Sequence, residues 1–114
     1  MNLYIQKEHA SNRSDVTIMG EVDMSNADVL GDYLTQEIKA EECDLFLNLS
    51  DLRFIDSSGL AVLLSARRLL QASGRSLILG SPGPAVARVL QVTGLDQVFE
   101  TDISFANSAV RQPA

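Results

Sequence analysis

Asp56-Ser57-Ser58-Gly59-Leu60 sets one carboxylate and two hydroxyls just ahead of a run with helical spacing. The first N–H groups of a helix have no intrahelical partner, and the positive end of its dipole faces outward. Two chemistries suit that position. In the first, Asp56, Ser57 or Ser58 is an N-cap, its oxygen accepting from the free N–H groups, and nothing more follows. In the second, Ser57 is a phosphate acceptor that other proteins load and clear. The free N–H groups would accommodate a phosphate rather than be broken by it. Its charge, about −2, would change the surface that a partner meets, and Asp56 would add repulsion toward acidic groups. Caps are common, so the local residues alone weigh toward the first chemistry; one cap needs only one side chain, and three polar candidates in a row shift the balance a little toward the second.

Leu60 and Leu64 lie four residues apart, off the stripe of Val62, Leu63, Ala66, Leu69 and Leu70 that reads as the buried face of the same helix. Either neighbouring helices cover the pair, or it stands beside Ser57 as an apolar docking patch. Other chemistries find little support. His9 is the only histidine, and there is no Gly-x-Ser-x-Gly elbow to make a hydrolase of it. No metal-ligand spacing occurs. Gly80-Ser81-Pro82-Gly83-Pro84 lacks the Lys-Ser/Thr of a phosphate-binding loop and reads as a strand-to-helix turn, at the sheet edge that also carries Ser57. Cys43 is the only cysteine, with no CxxC partner and no adjacent basic residue.

The elements that must position Ser57 can be read along the chain. With 114 residues, 46% of them hydrophobic, the length suits one domain over 1–114. Leu3-Tyr4-Ile5 and Val16-Thr17-Ile18-Met19 form a hairpin, and Gly20 to Asp23 leave its second strand. A first helix starts at Ser25, the expected cap, and runs to about Ala40 on Ala27, Leu30, Leu34 and Ile38. Leu45 to Leu49 is a strand buried on both faces, and Ser50 to Ile55 lead out of it. The second helix follows Asp56 and stops at Gly74. Leu77 to Leu79 is a strand, Pro84 opens a third helix that Gly94 ends, Val98-Phe99 is an edge strand, and Ile103 to Val110 a last helix. Strand–helix–strand units give a mostly parallel sheet, here with a mixed edge and helices mainly on one face.

The formal charge of −6 argues against nucleic acid and membrane as partners. A single thiol, no signal-peptide profile and only short apolar runs point to the cytoplasm.

Gly20-Glu21-Val22-Asp23, Asp56-Ser57-Ser58-Gly59-Leu60 and Thr93-Gly94-Leu95-Asp96-Gln97-Val98-Phe99, in that order and spacing, resemble the STAS domain, and most of all the bacterial anti-sigma factor antagonists. The resemblance spans nearly the whole chain. It implies an α/β STAS fold with a mixed sheet, no catalysis and no cofactor. It also implies an unphosphorylated form that binds an anti-sigma factor and frees the sigma factor. That partner would be a serine kinase of the histidine-kinase-like ATPase fold. Phosphorylation of Ser57 would release the antagonist, and a PP2C-type phosphatase would reset it. Asp56 would orient the acceptor or help the kinase recognise it, and Ser58, Gly59 and Leu60 would make the docking rim. Apart from the resemblance, Leu64 would join that rim if the apolar pair faces solvent, and a monomer that forms hetero-complexes is the expectation. Ala61 stands where many antagonists have Gly, which stiffens the helix. The Gly-Leu-Ala version of the block is also similar to the STAS subunit of lipid-transport ABC systems, where the chain would be a structural docking module.

Overall fold

Alternation of apolar and polar residues builds the first two strands. In the computed structural model, which describes residues 2–8 and 12–102, β1 (Leu3–Glu8) pairs antiparallel with β2 (Arg13–Val22), from Leu3↔Gly20 to Glu8↔Asp15. Every second residue of β2 is buried, from Ser14 to Val22, so one face of the sheet turns to the core. The other edge of β2 serves two parallel neighbours. β3 (Asp44–Asn48) lies beside Arg13 to Thr17, and β4 (Leu52–Ile55) beside Gly20 to Val22. β5 (Leu77–Gly80) and β6 (Glu100–Asp102) extend the sheet parallel to β3. The strand order is β1-β2-β3-β5-β6, with β4 paired to β2.

Three helices join these strands: α1 (Ala27–Ala40), α2 (Ser57–Gln71) and α3 (Pro84–Thr93). Their buried residues, among them Leu30, Leu34, Leu63, Leu70 and Leu90, share one core with Val16, Ile18, Leu45, Leu47, Leu77 and Leu79 of the sheet. Phe46 points to the opposite face. It is buried there under the Arg13 guanidinium, 4.1 Å from the ring centroid, and its ring fills the space a side chain on Gly80 would need. The helices therefore cover one face of a mixed sheet. Lys7 ties β1 to α1 by ion pairs of 3.0 Å to Glu37 and Glu41, and Glu37 above all holds its ammonium pKa above the usual lysine range.

Several elements differ from the sequence reading. β2 does not end at Gly20 but continues to Val22. Gly20 has φ +100°, and a Cβ there would run into the Asn2 carbonyl, so the strand passes a point that only glycine can occupy. β4 went unread because its burial runs in-out-out-in rather than alternating. The cause is a bulge: Gly20 pairs with Leu52 and Glu21 with Phe54, leaving Arg53 as the extra residue. The bulge turns Arg53 toward Glu21, 2.8 Å away.

Ser25 does not cap α1. Asn26 holds the cap position without a side-chain cap bond, and the Asp23 carboxylate accepts from the Ser25 hydroxyl and N–H instead. On α2 the buried stripe is Gly59, Leu60, Leu63, Ala66 and Leu70; Leu69 is 37% exposed. Val98-Phe99 is not a strand. A 3-10 turn over Leu95–Gln97 precedes it, and the edge strand begins at Glu100. The helix expected over 103–110, and His9, lie outside the described residues.

A Gly20→Ala variant is expected to lose at least about 2 kcal/mol of unfolding free energy in urea titration, from backbone strain together with the clash; an unchanged midpoint would show that β2 does not need the glycine. Glu21 supplies a pH test. Its carboxyl sits below the ordinary glutamate range, chiefly through the Arg53 hydrogen bond and then through the Asn2 N–H. A lowered folded pKa adds stability that is complete above the unfolded value and disappears as pH falls through the folded one. Glu21→Gln should therefore be less stable than the parent at neutral pH, with the gap closing below about pH 4; a gap that is constant with pH would contradict the ion pair.

Candidate functional site

Two parallel strands set up the site. Val22 of β2 and Ile55 of β4 are partners in register, so the residues that follow them, Asp23 and Asp56, leave the sheet at the same edge. Each strand then turns into a helix. The Asp56 N–H donates to the Val22 carbonyl at 3.2 Å, which fastens the second exit to the first. Around Asp23 the connection is closely tied. The Asp23 N–H donates to Asn26 Oδ1 and the Asn26 amide donates to the Glu21 carbonyl, both at 3.0 Å. The Ser25 hydroxyl, first among several donors, holds the Asp23 carboxyl below its usual range.

At the second exit Asp56 is the N-cap. Its Oδ1 accepts from the N–H groups of Ser58 at 2.9 Å and Gly59 at 3.2 Å. The carboxylate meets the positive end of the dipole as well, which a serine cap would not do with a full charge. Ser57 is thus the first helical residue, and it is exposed. Among the described residues no hydrogen bond involves its hydroxyl. Capping therefore falls to Asp56 and does not use the Ser57 hydroxyl, so the two chemistries open at the sequence level are compatible.

Ser58 is half-buried and Gly59 buried. A Cβ on Gly59 would lie 2.6 Å from Ile55 Cγ1 and 2.8 Å from Val22 Cγ1, so α2 sits directly on the two strand ends. Leu60 is 6% exposed and belongs to the core. The solvent-facing Leu60–Leu64 patch does not form: α2 is rotated so that Leu60 faces the sheet, and Leu64 is half-buried against the core. The open apolar side chains near the two exits are Met24, 78% exposed, and Phe54. Neither was singled out, because nothing in the sequence pairs the end of β2 with Ser57 once β4 goes unread.

The Gly80 to Pro84 turn packs against the exit of β3. Leu49 N–H donates to the Gly80 carbonyl at 2.8 Å, and Ser81 N–H to that of Asp102 at 3.0 Å. Cys43 Sγ lies 3.6 Å from the Ser14 hydroxyl. Among the described residues no group of three His, Cys, Asp or Glu side chains could hold a metal ion, and no helix is long and apolar enough to cross a membrane.

Comparison with known proteins agrees with this geometry. The STAS domain family matches residues 4–108. An anti-sigma F factor antagonist of Paenibacillus polymyxa is 32% identical over 100 residues, covering 87% of this chain and 86% of its own. The structure of the anti-sigma factor antagonist SpoIIAA in its unphosphorylated form superposes with a TM-score of 0.75 at 25% identity, covering 90% of this chain and 91% of that one. The Bacillus cell fate determinant SpoIIAA in its phosphorylated form gives 0.68 at 25% identity, over 95% and 100%. With the family matched over residues 4–108 and the fold matched at a TM-score of 0.75, this chain belongs to the STAS domain family and, within it, to the anti-sigma factor antagonists, which are regulatory proteins and not enzymes.

Proposed function

We propose that this antagonist is a single-domain cytoplasmic switch set at Ser57. Unphosphorylated, it binds an anti-sigma factor that is also a serine kinase of the histidine-kinase-like ATPase fold, and so frees a sigma factor. The kinase phosphorylates Ser57 and loses its hold; a PP2C-type phosphatase restores the first state. The observation that carries this reading is the place of Ser57: exposed, first in α2, with a hydroxyl that takes no part in the cap. That SpoIIAA has structures in both an unphosphorylated and a phosphorylated form supports it further.

The physical effect of the phosphate follows from its surroundings. The cap is made by Asp56, so a phosphate on Ser57 leaves the helix start in place. It adds about two negative charges beside Asp56. A tenfold loss of affinity needs about 1.4 kcal/mol. Two unit charges about 4 Å apart at a protein surface repel by roughly 4 kcal/mol, enough even when salt screens half of it. In the partner complex Asp56 orients the acceptor. Ser58, Gly59 and Leu64 border it, and Leu60 acts from below by seating the helix start.

With the purified anti-sigma factor kinase and ATP, mass spectrometry should find one phosphate, on the peptide that contains Ser57, and none on Ser57→Ala. Ser57→Asp should bind the kinase at least about tenfold more weakly. Equal labelling of the Ala variant would place the acceptor elsewhere. Asp56→Ala should cost about 1 kcal/mol of stability in denaturant titration through loss of the cap, and it should slow phosphorylation; full stability would mean that another side chain caps α2.

A further inference from the structure

The groove between α1 and α2 has no part in the switch itself, yet Ser58 lines it and joins it to the acceptor. It encloses about 620 Å³ and follows α2 from Ser58 to Leu69, about three helical turns. Gly31, Ala61 and Ser65 line it with little bulk, so another backbone can approach closely. Met24 and Leu69 are open to solvent on its walls, 78% and 37% exposed. A groove of this length with separated apolar anchors takes a helix.

Charge selects which helix. Asp28 and Asp32 sit one turn apart on the α1 side of the groove, both exposed. Among the described residues neither makes an ion pair or a hydrogen bond. Like charges four residues apart oppose each other on a helix, and cations from a partner would relieve that repulsion. No Lys or Arg lines the groove to supply them from within the chain.

We propose that this groove binds a basic amphipathic helix of the anti-sigma factor, with Lys or Arg one turn apart over Asp28 and Asp32 and apolar side chains on Met24 and Leu69. The proposal rests on the switch reading and refines it. Added negative charge at Ser57 does not weaken the attraction of an acidic groove for cations; the phosphate repels the nucleotide phosphates at the kinase site. The groove thus contributes the same attraction in both states, and Ser57 is the part of the interface whose change lowers the net affinity enough for release.

The test is calorimetric titration of the purified anti-sigma factor kinase with the parent chain, with Asp28→Lys/Asp32→Lys, with Ser57→Asp and with the triple variant, each confirmed folded by circular dichroism. Charge reversal should weaken binding about tenfold or more both with Ser57 and with Asp at that position, so that the two factors multiply. Charge reversal with affinity within about twofold of the parent overturns the anchor while leaving the switch intact. Loss of binding on charge reversal, with Ser57→Asp binding like the parent, keeps the anchor and overturns the switch. A photo-crosslinker in place of Ser65, with both aspartates retained, guards against misfolding of the reversal variant. It should label a Lys- or Arg-rich helical peptide of the kinase, and labelling of an uncharged or acidic peptide overturns the proposal.

Discussion

The hydrogen bonds that the Ser58 and Gly59 N–H groups donate to the Asp56 carboxylate decide where α2 begins, and the placement of Ser57 depends on that start. Begun one residue later, the helix would carry Ser57 in the connecting segment; begun one earlier, it would turn Ser57 by about 100° around the axis. The start is fixed twice more. The Asp56 N–H is held by the Val22 carbonyl, and Gly59 lies so close to Val22 and Ile55 that no side chain fits between. Adding a methyl there favours the helix by up to about 1 kcal/mol, but overpacking costs about 1–3 kcal/mol, so contact outweighs propensity. The position of one hydroxyl is thus set by groups whose own roles are structural.

The sheet explains why two acidic exits stand side by side. A long β2 carries β3 on the first part of one edge and β4 on the last, so that two parallel strands end level with each other. Parallel strands send their connections out at the same edge, and the connections gather there. Asp23 and Asp56 are the first residues past those ends, and the groove between α1 and α2 starts from the same place. A net charge of −6 and this local arrangement point the same way, toward a cationic partner surface.

Much of this was legible in the residues alone. The period of Leu30, Leu34 and Ile38, the continuous Leu45 to Leu49 run and Pro84 at a helix start each carry a local signal strong enough to read. That a helix opens at Asp56 was legible too, because Asp and Ser ahead of a helical run are capping residue types, and Asp56 does cap α2. What escaped reading was tertiary. The bulge at Arg53 hid β4, since its cause is the pairing of Gly20 with Leu52 across the sheet. The face that Leu60 turns to the core depends on the angle at which α2 leaves the strand, and Leu60, Leu63 and Leu64 offer equal hydrophobicity to either side. Asn26 took the cap position from Ser25 because Asp23 had already engaged the serine.

The central claim is that Ser57 accepts a phosphate while α2 stays as it is, so that only the outward surface changes. Amide hydrogen exchange of the fully phosphorylated chain against the unphosphorylated one measures this directly. Protection along α2 from Leu60 to Gln71 should be equal or higher after phosphorylation, with spectral changes confined to the helix start and the neighbouring end of β2. Loss of protection through the body of α2 would mean that the phosphate breaks the helix, and the account of a fold-preserving surface switch would be wrong.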